Sequence, residues 1–411
     1  MAPPIFMAGG LRALLQEESE HQWLAIGVFF SFILIGGYAI EGTQYFVGDA
    51  LVPESEHAQH RGAFVMDVEY HEENESYTSL IYSPNQGYIL YTEYIEDDVS
   101  SVYFSPETND IGREVNFLKA MPDGEIMLSV EPNQLMGLSG NAFITYELQS
   151  THGTFDILDM AEQKVAGNTH QLLLTQEEEA TSLRGLSPTL LPTPAIPMTT
   201  GIAWSSIEAL APGQWVAVGA HLGVAGADGS SPASPNHHPA IGWISWDGSE
   251  STPVLDHVRM IDEEGLFHSL LKVDDGVIVA GTQSSHHIDQ NGERQNLEIP
   301  SKNAVVDSEG TVWFIGDAGT TTITTWDGET SRVYPLSHPV PISTTAIGVH
   351  DDIIHVHGTD SQGNPALWDI DTQAKSSIES GRGFLNLLFL MAGTVVMGMM
   401  IWNGINKMRT A

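Results

Sequence analysis

Short runs of β-branched and aromatic residues, many alternating with polar positions, fill residues 41–380, and Gly, Asp and Asn turns separate them. No helical period persists there, so the pattern predicts an array of β-strands. Two uninterrupted apolar runs bracket the array. Residues 23–40 read WLAIGVFFSFILIGGYAI without a charge, and residues 384–402 read FLNLLFLMAGTVVMGMMIW with Asn386 as the only strongly polar side chain. At ~1.5 Å rise per residue each approaches the ~30 Å thickness of a bilayer core, which predicts two transmembrane helices. Trp23, Tyr38 and Trp402 stand at their edges, where amphipathic rings favour the interface. The first run reads as an uncleaved anchor, because Glu17, Glu18 and Glu20 precede it with only Arg12 and no small-residue cleavage site follows.

Between the spans the turn-then-strand pattern repeats. Strands are expected at 88–91, 126–130, 215–219, 277–280, 312–315 and 353–356, after turns that end at 87, 124, 213, 276, 310 and 352. The longest interval holds two units, the missing one using 170–175 as its strand. Seven units of about 40 residues result, the size of a four-stranded propeller blade, with six or eight as alternatives. Residues 154–203, with the Pro-rich LSPTLLPTPAIP, form the weakest unit. The expected fold is therefore all-β, a single seven-bladed β-propeller flanked by two transmembrane α-helices. Residues 63–70 (AFVMDVEY) alternate ahead of the first complete unit and are the expected closing outer strand of the last blade.

The partner strands read GWISWDGSES at 242–251, ITTWDGETSR at 323–332 and LWDIDTQAK at 367–375, each with a Trp-Asp leading into a hairpin. The unit at 307–336, DSEGTVWFIGDAGTTTITTWDGETSRVYPL, resembles the two-component-regulator type of propeller repeat and, less closely, lyase propellers of the virginiamycin B lyase kind. LWDIDTQAK resembles the outer hairpin of a quinoprotein-type blade. These resemblances imply the fold only, since propeller families share repeats across unrelated functions.

Charge then fixes placement. The chain has 53 Asp+Glu against 15 Lys+Arg, and residues 41–380 hold 50 of those acids and 11 of the basic residues. Such a field repels phosphate backbones, which excludes nucleic acid as a partner and suits a salty medium. Lys407 and Arg409 follow the second apolar run with no acid, which puts the C-terminus in the cytoplasm. The expected organisation is a cytoplasmic tail (1–22), a span (23–40), a connector (41–62), an extracytoplasmic propeller (63–380), a second span (384–402) and a cytoplasmic tail (403–411). With no Cys, disulfides, Cys-zinc sites and thiol catalysis are excluded.

Histidine offers the only candidate chemistry. His221, His237 and His238 lie in the insertion HLGVAGADGSSPASPNHHPA after the strand expected at 215–219, and His286 and His287 occupy the equivalent loop of the next unit. With Asp228 or Asp289 nearby, five imidazoles on one propeller face are a candidate divalent-metal site, although solvated loop histidines explain the same residues. His355 and His357 form an HxH on an expected inner strand, where hydrogen-bonded packing competes with ligation. Asp289-Gln290-Asn291-Gly292 matches half a calcium loop and is explained by a hairpin turn. Asn74-Glu75-Ser76 is a glycan-acceptor sequence. No nucleophile elbow, P-loop or dinucleotide fingerprint occurs. The expected function is a non-enzymatic, membrane-anchored extracytoplasmic module that binds membrane or extracytoplasmic proteins and needs no cofactor. The alternative is a metal-dependent hydrolase or lyase working on the His-rich face.

Overall fold

A computed structural model describes residues 48–372 except 54–63, 72–75, 85–86, 97–98, 102–114, 122–124, 140–141, 149–152, 166, 179, 188–189, 223–236, 249–250, 337 and 351, together with 388–395, 397–398 and 402. The chain divides into two units, Gly48–Thr372 and the remainder. In the remainder the described residues are helical, and Thr394 Oγ1 donates to Leu390 O at 2.7 Å. Among the described residues no helix is long and apolar enough to cross a membrane. The expected span 23–40 lies wholly outside them, and 384–402 lies largely outside them.

Gly48–Thr372 folds into seven antiparallel four-stranded sheets. Blade 1 comprises Phe64–His71, Ser76–Ser83, Gly87–Glu96 and Val99–Ser101; blade 2, Leu118–Ala120, Ile126–Leu128, Gln134–Ser139 and Ala142–Glu147. Blade 3 comprises Asp156–Val165, Asn168–Glu177, Ala180–Leu186 and Ile196–Pro197; blade 4, Ile202–Ala211, Gln214–Leu222, His237–Ser245 and Val254–Met260. Blade 5 comprises Phe267–Val273, Gly276–Gly281, His286–Asp289 and Arg294–Asn296; blade 6, Asn303–Val306, Val312–Ile315, Thr322–Trp326 and Ser331–Pro335. Blade 7 has Ser343–His350, Ile353–Thr359 and Pro365–Asp371, and takes its fourth strand, Gly48–Pro53, from the start of the described chain.

The first strands of blades 3 to 7 touch in succession, as do those of blades 7 and 1 and of blades 1 and 2, and the junction of blades 2 and 3 is an apolar cluster with Phe117, Met127, Leu135, Ile157 and Leu173. Further clusters fill the junctions of blades 1–2, 3–4, 4–5 and 5–6. The result is a closed seven-bladed β-propeller. In blades 5 and 6 the second strand is the most completely buried, because neighbours cover both sides of the sheet: Val277–Ala280 and Val312–Ile315 are apolar at every position and buried throughout.

Closure differs from the sequence expectation. Gly48–Pro53 pairs antiparallel with Pro365–Asp371, with Gly48 opposite Asp371 and Pro53 opposite Ala366. Residues 64–70 of the expected closing strand 63–70 instead belong to the innermost strand of blade 1, Phe64–His71, and residue 63 lies outside the described residues. Their alternation comes from a strand with one face in the apolar core and ionisable residues on the other, which resembles a half-exposed outer strand in sequence. The strand expected at 88–91 is the third of blade 1, not the second. Within the weak unit, residues 170–175 lie in the second strand of blade 3. The Pro-rich stretch guards the edge of that sheet, with Ile196–Pro197 pairing Leu183 and Ser182, and Pro192 bridging Leu186.

Candidate functional site

The first strand of each blade has a free edge whose backbone groups still require partners. In blades 1, 3, 4, 5 and 7 this strand carries a β-bulge near its start, at residues 66, 158, 205, 268 and 345. In blades 1 and 3 the side chain after the bulge reaches the next blade. In blade 3 that side chain is Asp159. Its Oδ1 accepts from Met160 N at 2.8 Å, and its Oδ2 accepts from Ile207 N of blade 4 at 2.8 Å and from Ser206 Oγ at 2.5 Å. In blade 1 it is Asp67, which accepts from Val68 N at 2.9 Å and bonds the backbone of Leu118 in blade 2. A carboxylate thus joins each of these inner strands to the next blade.

Two lysines bond carbonyls of the inner strand of blade 4. Lys119 of blade 2 donates to Ile207 O at 3.0 Å, and Lys272 of blade 5 donates to Leu210 O at 2.8 Å. Lys119 Nζ also lies 3.0 Å from Glu208 and 3.7 Å from Asp159, whose side chains are only 13 % and 8 % exposed. Glu69, two residues after Asp67, bonds the backbone of Ala120. Four adjacent inner strands therefore assemble Asp67, Glu69, Lys119, Asp159 and Glu208, with Lys272 on the fifth.

Burial dominates the electrostatics. It pushes the Glu69 carboxyl up to about 8, helped by the Asp67 charge and opposed by Lys119. It raises Asp67 to about 6, against the Val68 N–H and with the charge of Asp159. Burial also raises Asp159, despite Lys119. For Lys119, burial works against the charge, but Asp159 and Glu208 outweigh it and hold the ammonium above its usual range. Burial lowers Lys272, opposed by Glu208. The protonated form is thus favoured at Asp67, Glu69 and Asp159, while the ammonium of Lys119 is held charged between Asp159 and Glu208. None of these residues was singled out from the sequence. The available signal was a charge inside an otherwise apolar run, as in VMDVEY, FLKAM, ILDMAE and SSIEAL, and two of the chain's six lysines fall in such runs.

The five histidines expected to form a metal site separate into two places. In blade 4, His221 faces His238 in register, and His237 faces Leu222. Asp228 lies outside the described residues. In blade 5, His286 is fully buried, and His287 packs its ring 4.8 Å from Trp326, with Nε2 3.3 Å from Asp275. Asp289 accepts from Asn291 N and Glu293 N in its own hairpin. Among the described residues no group of three or more His, Asp or Glu is placed to hold a metal ion. His355 Nδ1 is bonded to Asp369 Oδ1 at 2.7 Å, a cross-strand pair within blade 7.

One further polar chain resembles a catalytic trio but runs the wrong way. Ser284 Oγ lies 3.3 Å from His286 Nε2 and donates to Glu263 Oε2 at 2.7 Å, while Arg294 Nη1 lies 3.2 Å from His286 Nδ1. An arginine only donates, so Nδ1 accepts and the neutral ring carries its proton on Nε2. Burial, with the charge of Arg294, lowers this histidine to about 4, which keeps the ring neutral. It therefore donates to Ser284 and cannot take that hydroxyl proton.

Two open pockets lie between blades 2 and 3. One of about 600 Å³ includes Glu125, Tyr146, His170 and Leu186 and reaches Gly248 of blade 4. The other, about 560 Å³ on the opposite face, includes Phe155, Asp156, Glu177 and Glu178. Fully buried Arg184 backs the second, bonded to Glu177 and 4.4 Å from the Phe155 ring centroid.

No family model matches this chain, and no curated protein matches it. Solved structures do. The WD40 domain of Neurospora crassa Pan2 aligns over 79 % of this chain and 94 % of its own, at 9 % identity and a TM-score of 0.50. BBS1N, in its complex with ARL6DN, covers 80 % and 97 % at 13 % identity and a TM-score of 0.47. The Dos1 propeller covers 79 % and 95 % at 11 % identity and a TM-score of 0.47. At such identities the likeness concerns architecture alone, and the chain is a seven-bladed β-propeller with structural neighbours among WD40 and related propellers.

Proposed function

We propose that this chain is a two-pass membrane protein whose propeller lies outside the cytoplasm and serves as an interaction or sensor module of a membrane complex. The observation that carries this reading is the pairing of Gly48 with Asp371. The described ring begins and ends at one point of blade 7, and the apolar runs 23–40 and 384–402 lie just beyond those two residues in sequence. The eight residues from 40 to 48 reach at most about 30 Å, and the thirteen from 371 to 384 at most about 45 Å. A ring joined to two apolar segments at one point suits a membrane hairpin. Lys407 and Arg409 support cytoplasmic termini, and the acidic ring suits a salty exterior. Loops gathered on the two faces of a rigid disc offer a platform for protein partners in the membrane or outside the cell.

Alkaline extraction of native membranes, followed by mild detergent purification, tests the proposal. The full chain should stay in the membrane pellet and purify with a partner polypeptide at fixed stoichiometry. Release by alkali, or a chain that purifies alone, would contradict it.

A further inference from the structure

We propose that the inner strands of blades 1–4 form a proton-operated fastening, in which protonation of Glu69 tightens the junctions between these blades and ionisation loosens them. The geometry carries this inference. Asp67, Glu69, Asp159 and Glu208 come from three inner strands; Lys119, on a fourth, lies within 4 Å of Asp159 and Glu208, while Asp67 and Glu69 bond the backbone of Leu118 and Ala120 on either side of it. Asp159 and Asp67 hold backbone N–H groups of the next blade, so like-charge repulsion among these carboxylates acts directly on contacts that join blades.

Several titratable groups surround Glu69. On its own strand stand Asp67 and Tyr70. The neighbouring inner strand of blade 7 contributes His350, whose ring lies 5.1 Å from Tyr70. The second strand of blade 7 carries His355, bonded to Asp369, and His357, and the second strand of blade 1 carries Tyr82. Blade 2 supplies Lys119, and Lys272 reaches the cluster's far side through Glu208.

The sign follows from the carboxyl itself. A group raised from 4.5 to about 8 in the folded ring favours the fold while protonated, and that contribution is lost as pH rises from about 5 through 8. His355, bonded to Asp369 at 2.7 Å, stands on the neighbouring blade, so a His355→Gln variant serves as the control.

The test is a series of thermal midpoints of the full chain in detergent between pH 5.5 and 8.5, with hydrogen exchange of the inner strands corrected for intrinsic rate. The wild-type midpoint should fall by several degrees across this range. Exchange at 64–71 and 118–120 should rise at least fivefold more than at 312–315 in blade 6. Glu69→Gln should abolish most of the pH slope and raise the midpoint at pH 8.5, whereas His355→Gln should leave most of the slope in place. An unchanged slope in Glu69→Gln, or, should that variant fail to fold, equal exchange responses in wild-type blades 1 and 6, would overturn the proposal.

Discussion

Asp307 shows how one side chain can define a turn. Its Oδ1 accepts from Glu309 N and Thr311 N, its Oδ2 accepts from the buried Trp313 Nε1 at 2.7 Å, and Gly310 closes the turn at φ +80°. Asp360 repeats the first part, accepting from Gln362 N and Asn364 N with Gly363 in the same place, but it holds no indole. The hydrogen bonds from Asn364 hold Asp360 below the usual carboxylate range, and those from Thr330 and Glu329 hold Asp327 at about 2. Asp307→Ala should therefore cost about 2–3 kcal/mol, because it strands a buried indole donor, and Asp360→Ala distinctly less. Denaturant midpoints will compare them, and equal losses would show that the indole bond contributes nothing. These turns were readable in sequence because Asp-x-x-Gly signals its own geometry locally. The ionic cluster was not, since Asp67, Lys119, Asp159 and Glu208 become neighbours only when four blades close side by side.

At the scale of the element, the readable strands were those whose environment is uniform. Trp215 to Gly219 and Val277 to Ala280 are continuous apolar runs because both faces are covered, and each follows a turn ending in glycine. The inner strands mix core residues with charges and are interrupted by bulges, so their period breaks. A signal of the bulge does survive in the partner strand. Gly219 stands opposite Trp204, where a Cβ would come within 2.4 Å of Ala203 O, and Gly358 stands opposite Thr344, where it would come within 2.2 Å of Ser343 O. Glycine is needed at both positions because the bulged backbone leaves no room for a methyl group.

The closing strand escaped notice because GDALVP offers only three consecutive apolar residues, fewer than the alternating run 63–70. It should nonetheless carry stability. Consecutive N–H groups of a strand point alternately toward and away from its partner, so replacing both Ala50 and Leu51 by Pro must remove one ladder bond to Pro365–Asp371. The double variant should lose about 1–3 kcal/mol and gain a tendency to associate through the bared edge. An unchanged unfolding midpoint would contradict closure by Gly48–Pro53.

For the whole molecule the dominant fact is charge, 50 acidic against 11 basic residues between 41 and 380. Self-repulsion acts over ~30 Å at 0.01 M ionic strength and ~3 Å at 1 M. The chain in detergent should accordingly unfold at distinctly lower temperature in 10 mM than in 1 M sodium chloride. Chloride is the appropriate salt, because sulfate strengthens apolar burial directly. A flat response would leave the acidity as a solubility device only.

The central claim, an extracytoplasmic ring held by two spans, is tested most directly by protease protection in sealed, right-side-out vesicles from cells expressing the chain with an epitope after Ala411. Added protease should cut within the ring while the C-terminal epitope stays protected until detergent is added. Loss of the epitope in intact vesicles, or a ring that resists cleavage until the vesicles are opened, would contradict the account.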